Sequence, residues 1–148
     1  TRKTVTTVVL DASVIVKWVF ADRADESHSS QALQLLQLIN ESRIRVVQPP
    51  HWLAEAAAVM TRLDSRRARQ AVSLLYALEL PILVDVEVYQ KACDLSARLA
   101  QHVFDTLYHA VALRESGAML VTADDRYYRA AHRIGQIIKL KDFDVPTL

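Results

Sequence analysis

Five short runs rich in β-branched and apolar residues punctuate the chain: TTVVL at 6 to 10, IRVVQ at 44 to 48, ILV at 82 to 84, AMLVT at 118 to 122 and IIK at 137 to 139. Between them lie longer stretches with apolar residues at helical spacing, at 12 to 20, 26 to 41, 52 to 64, 66 to 79, 86 to 101, 105 to 116 and 125 to 134. Strands that alternate with helices pair in parallel through right-handed crossovers. The expected fold class is therefore α/β, a three-layer α/β/α sandwich with a mainly parallel central sheet. Local chemistry supports the boundaries: Pro49 and Pro50 stop the second run, Ser65 can cap the helix that follows it, and Gly117 and Gly135 stand where helix C-termini favour a left-handed residue. The sequence has no internal repeat or Pro/Gly/Ser-rich linker, so residues 1 to 148 read as one domain. A fold of this size buries roughly 70% of its unfolded-state surface.

Composition removes several function classes. The lone cysteine, Cys93, excludes an internal disulfide and a thiolate metal cluster, and it makes a reducing compartment, the cytoplasm by default, the expected location. No apolar run reaches the ~20 residues of a membrane span, and TRKTVTTVVL lacks the long apolar region of a secretory signal, so no membrane association is expected. Eighteen Lys and Arg nearly balance seventeen Asp and Glu, so any contact with nucleic acid has to be local. With only two glycines, neither a dinucleotide-type nor a Walker-type phosphate loop can be built.

Four acids are expected at one edge of the sheet. Asp11 ends the run VVLD and Asp124 follows MLVTA, so both leave strands at their carboxyl ends, where sites form in α/β sheets. Glu55 lies in the first turn of the helix after the second strand, on the face of Trp52 and Val59. Asp105 starts a helix that returns the chain to the foot of the strand at 118 to 122. Each aspartate also suits a helix N-cap, stabilised there by the helix dipole, and that structural role competes with a chemical one. Gathered together, the four repel: at ~4 Å and an effective dielectric of about 20, an adjacent pair costs roughly 4 kcal/mol. A hard divalent cation relieves that repulsion, and an all-oxygen donor set favours Mg²⁺ or Mn²⁺ over zinc. Ser13 and Thr122 are placed to orient a carboxylate or a water, or to make local turn contacts.

VVLDASVIVKWV, QPPHWLAEAAAVM and VFDTLYHAVALRESGAMLVTADDRYYRAA, in that order, resemble the PIN-domain family, and more closely its VapC-type toxins of toxin–antitoxin pairs. By this resemblance Asp11, Glu55, Asp105 and Asp124 match the family's acidic quartet, catalytic and metal-holding, and Ser13 and Thr122 match its supporting hydroxyls. Asp124 is assigned from the T-x-D spacing, which leaves Asp125 as a solvated first-turn carboxylate. The resemblance implies a metal-dependent endoribonuclease with an RNA substrate, a homodimer, and inhibition by a VapB-like antitoxin.

The remaining polar residues invite plainer readings. His28, His51, His102, His109 and His132 show no mutual ligand spacing and read as surface or helix residues, although His109, one turn after Asp105, has the spacing to face the site. Tyr108 reads as packing. Arg126, Arg129 and Arg133 on the last helix, and Arg62, Arg66, Arg67 and Arg69 near a central helix junction, are either phosphate contacts or solvated faces. Two alternatives are a receiver-like Mg²⁺-binding signalling module and a non-cleaving PIN fold that binds RNA or protein. The first, like a haloacid-dehalogenase-like phosphatase, expects further acids after the first strand where this chain has Ala12 and Ser13.

Overall fold

The structure, a computed structural model, describes residues 5 to 23 and 27 to 144. Its order is β1 (Thr6–Leu10), α1 (Ala12–Val19), α2 (Ser29–Asn40), β2 (Ile44–Val46), α3 (Trp52–Leu63), α4 (Ser65–Tyr76), α5 (Val86–Leu99), α6 (Val103–Arg114), β3 (Met119–Thr122), α7 (Asp125–Ala131) and β4 (Ile137–Lys139), with a 3₁₀ turn on each side of β4. Residue 26, where the second expected helix begins, lies outside the described residues. The four strands form one parallel sheet in the order β2-β1-β3-β4.

That order fixes the layers and the place of the site. The connection from β1 to β2 steps one way across the sheet, whereas those from β2 to β3 and from β3 to β4 step the other way. Right-handed crossovers then put α1 and α2 on one face and α6 on the other, giving the three-layer sandwich. The direction reverses between β1 and β3, and a crevice opens beyond the carboxyl ends of strands at such a switch point.

Burial follows the patterning. In β1, Val8, Val9 and Leu10 are fully buried, as a central parallel strand covered on both faces requires. Trp52, Ala56 and Met60 form the buried stripe of α3 at intervals of four. Residues 106 to 112 of α6 are buried without a break, because this helix is wedged between the sheet and α5.

Two local expectations are corrected. Residues 82 to 84 form no strand: the segment makes a single parallel bridge, Gln48 to Ile82, with Gln48 N–H donating to the Pro81 carbonyl and Leu83 N–H donating to the Gln48 carbonyl. Pro49 and Pro50 lack the N–H groups that would extend the pairing. The cap of α4 is Asp64, which accepts from the N–H groups of Arg66 and Arg67, and Ser65 is the first helical residue.

The two prolines have another consequence. Past β2, Leu10 has no strand partner on that side, and the fully buried side chain of Gln48 takes its place: Oε1 accepts from Leu10 N–H and Nε2 donates to the Leu10 carbonyl, both at 2.8 Å. This amide holds the last residue of β1, and so the backbone from which Asp11 projects. Gln48→Met, which keeps volume and removes the amide, leaves two buried backbone groups unpaired and is expected to destabilise the fold by about 2–4 kcal/mol. Urea unfolding of the two proteins measures the difference.

Candidate active site

Asp11 caps α1 at the carboxyl end of β1, and its Oδ1 accepts from Ser13 N–H at 2.9 Å. Both hydroxyls singled out in the sequence converge on it: Ser13 Oγ donates to Oδ1, and Thr122 Oγ1, from the end of β3, donates to Oδ2. Each hydroxyl also accepts a backbone N–H from the start of the β3–α7 loop, Ser13 Oγ from Ala123 and Thr122 Oγ1 from Asp124, both at 3.0 Å. Asp11 N–H meanwhile reaches the Val121 carbonyl at 3.4 Å. The two strands at the switch point are thus tied through one carboxylate, and the hydroxyls are committed to orienting it.

Asp124 caps α7, with Oδ1 accepting from Tyr127 N–H at 3.1 Å. Capping accounts for the position of Asp11 and Asp124 but not for that of Asp105, which lies in the first turn of α6 behind the N-cap His102 and makes no side-chain cap bond. Glu55 is in the first turn of α3, half-buried, 3.2 Å from His51 Nε2. Among the described residues no Lys or Arg forms an ion pair with any of the four acids. Asp125 is exposed and pairs with Lys139 at 3.3 Å.

Electrostatics links the acids in a chain. Burial pushes the Asp11 carboxyl up to about 6 against the pull of the Ser13 and Thr122 hydrogen bonds, and the charge of Asp124 pushes the same way. Asp105 is also raised, first by burial, then by the charges of Glu55 and Asp124. The sequence of neighbours is Asp11, Asp124, Asp105, Glu55. Among the described residues, however, no three His, Cys, Asp or Glu side chains are gathered as the ligands of one ion, so the expectation that all four share a single coordination shell is not met in this arrangement. The donor set still fits a hard cation. It is all oxygen, partly desolvated and mutually repelling, and Mg²⁺ keeps several waters while binding one or two carboxylates.

Beside the acids lies a cleft of about 400 Å³, lined by Asp105, Asp124, Arg126, His102, Gln101 and Ser96. Its volume leaves room for a substrate against Asp105 and Asp124. A family model, PIN domain, matches residues 8–133, a span that includes all four acids and both hydroxyls. The chain belongs to the PIN-domain family. PIN domains are generally metal-dependent nucleases, which supports a general hydrolase role and sets the receiver-like reading aside. No individual curated protein matches the chain. No helix among the described residues is long and apolar enough to cross a membrane.

The structure also redistributes the other polar residues of this PIN domain. His109 does not face the site: it is fully buried, with Nδ1 at 2.9 Å from the Tyr127 hydroxyl and Nε2 at 2.8 Å from the Gly135 carbonyl, and burial lowers its pKa. His51, which reads as a surface residue, meets an acid, Glu55, and the spacing of four between them is the signal that carries this contact. Arg67 is tied to Asp22 and the Val19 carbonyl and lies over the Phe20 ring, whereas Arg126 lines the cleft.

A stability prediction follows from the raised carboxyl of Asp11. Its pKa is higher folded, about 6, than the ordinary 3.8, so folding favours the protonated form. The contribution is fully present below the ordinary value and is lost as pH rises through about 6. Ionised Asp11 then costs the metal-free fold up to about 3 kcal/mol. Asn keeps the cap and removes the charge. Metal-free Asp11→Asn is therefore expected to match the wild type near pH 4 and to be the more stable protein at pH 7.5, read from melting temperatures across that range. Loss of stability in the variant at pH 7.5 would reduce Asp11 to a structural cap.

Proposed function

We propose that the protein is a Mg²⁺- or Mn²⁺-dependent endoribonuclease in which Asp11, Glu55, Asp105 and Asp124 form the catalytic, metal-holding site. The observation that carries this reading is the partly buried Asp11 carboxylate at the switch point, held by two hydroxyls and without a basic partner among the described residues. A carboxylate so placed calls for a cation. When bound, a divalent ion supplies Lewis acidity toward the scissile phosphate and lowers the pKa of water.

The chain's own residues do the rest. Ser13 and Thr122 bond both oxygens of Asp11 and so hold the carboxylate in one orientation. Asp124 is fixed by Tyr127 N–H, and Asp105, free of capping bonds, is left to bind at the cleft wall. Arg126 at the cleft edge offers a charge-assisted contact to an RNA phosphate. None of these steps needs an imidazole as general base, in keeping with His109 being engaged elsewhere.

RNA hydrolysis is expected with Mg²⁺ or Mn²⁺ and not in EDTA, and Asp11→Asn or Asp105→Asn should lower it at least about 100-fold with the fold intact. Undiminished cleavage in chelator sinks the mechanism.

The resemblance in sequence supports a finer reading, that of a homodimeric VapC-type toxin of the cytoplasm held in check by a VapB-like antitoxin. An acidic pocket of this kind is blocked most simply by an Arg or Lys of the partner that neutralises the carboxylates in the cation's place, near Asp11 and Asp105. Co-purification with the product of the neighbouring reading frame, followed by an activity titration, tests this. Inhibition that weakens as Mn²⁺ is raised is the expected result, and inhibition indifferent to the ion places the partner elsewhere.

A further inference from the structure

Tyr108 reads as a packing residue in the sequence, and its ring does pack, with 1% of the residue exposed. Its hydroxyl is not accounted for by packing. Tyr108 Oη is buried and has no hydrogen-bond partner, although buried polar groups are almost always paired. It stands three residues after Asp105, on the same face of α6, and its ring centroid is 4.9 Å from that of His51, whose Nε2 contacts Glu55.

Burial, and after it the charges of Glu55, Asp11 and Asp105, push the pKa of this phenol up, so the group stays protonated and is a donor. A buried donor within the field of three carboxylates and bonded to none calls for an acceptor that the protein itself does not supply. His51 repeats the pattern. Its Nε2 faces two acceptors, the Phe104 carbonyl at 2.7 Å and Glu55 Oε2 at 3.2 Å, and therefore carries the proton, while its Nδ1 is buried without a partner.

We propose that Tyr108 is a cation-positioning residue: its Oη–H donates to water held at the acid cluster together with the divalent ion. This role rests on the metal-dependent reading of the site. The phenol supplies a fixed donor that Ser13 and Thr122 cannot, since both of those hydroxyls are spent on Asp11. Partners of this outer kind are worth about 10–100-fold in metal affinity.

The test is Tyr108→Phe, which removes one oxygen and keeps the ring. Calorimetric titration of Mn²⁺ into the metal-free wild type and variant, without RNA, is read beside the melting temperature of each metal-free protein. Expected are Mn²⁺ binding by the wild type, binding about 10-fold or more weaker in Tyr108→Phe, and a metal-free melting temperature equal to or above that of the wild type. Equal Mn²⁺ affinity in the two proteins overturns the role of Tyr108 and leaves the metal-dependent reading standing. A wild type that binds no Mn²⁺ overturns both. A variant whose metal-free melting temperature falls assigns the hydroxyl to the fold and likewise overturns the proposal.

Discussion

The arrangement depends on one unfavourable act, the placing of an ionisable carboxyl, Asp11, at the end of a strand whose last three residues are fully buried. Taking such a group out of water without a counter-charge is costly, and here the cost shows as a carboxyl pushed up to about 6. The surrounding structure reads as what is needed to hold it there. Gln48 seats the residue before it, Ser13 and Thr122 bond both of its oxygens, and the N-terminus of α1 turns its dipole toward it. Because Thr122 comes from β3 and Ser13 also binds the β3–α7 loop, the same contacts lock the two strands at which the sheet reverses direction. A fold that needed only a helix cap at this point has no use for two more donors.

Asp124 and Asp105 carry the repulsion to the cleft, and Glu55 adds its charge to that of Asp124 on Asp105. The acids are joined by repulsion and by no shared bond, which suits a site completed by an ion and its waters. Tyr108 adds a group of the opposite kind, a buried donor that finds no partner within the protein. Stability and function pull against each other at these positions, and changes that relieve the metal-free protein are the ones that should disable it.

Much of the fold was legible because burial and periodicity coincide. β1, β3 and β4 match their apolar runs closely, β2 matches the first part of its run, and the seven helices lie within a few residues of their expected spans. Residues 82 to 84 show where pattern fails. Three β-branched and apolar residues in a row suggest a strand, but a strand needs backbone donors beside it, and Pro49 and Pro50 supply none. The four acids and two hydroxyls could be placed from the ends of strands and helices alone. Gln48 and Tyr108 could not, since a buried amide that replaces a strand partner and a phenol without a partner are properties of tertiary packing that no local spacing announces. His109 misled for the complementary reason: the helix face was right, but Tyr127 and the Gly135 carbonyl, distant in sequence, claim both ring nitrogens.

The central claim is that the carboxylates at the β1–β3 switch point, which have no Lys or Arg partner among the described residues, hold a divalent ion. Crystals soaked in Mn²⁺ and measured for anomalous scattering test it at the atomic level. The account expects a Mn²⁺ peak at the carboxylates of Asp11 and Asp105, with the Asp124 or Glu55 side chains drawn toward it. Crystals showing Mn²⁺ only at other surface positions, with the Asp11 cluster vacant at saturating ion, would contradict it.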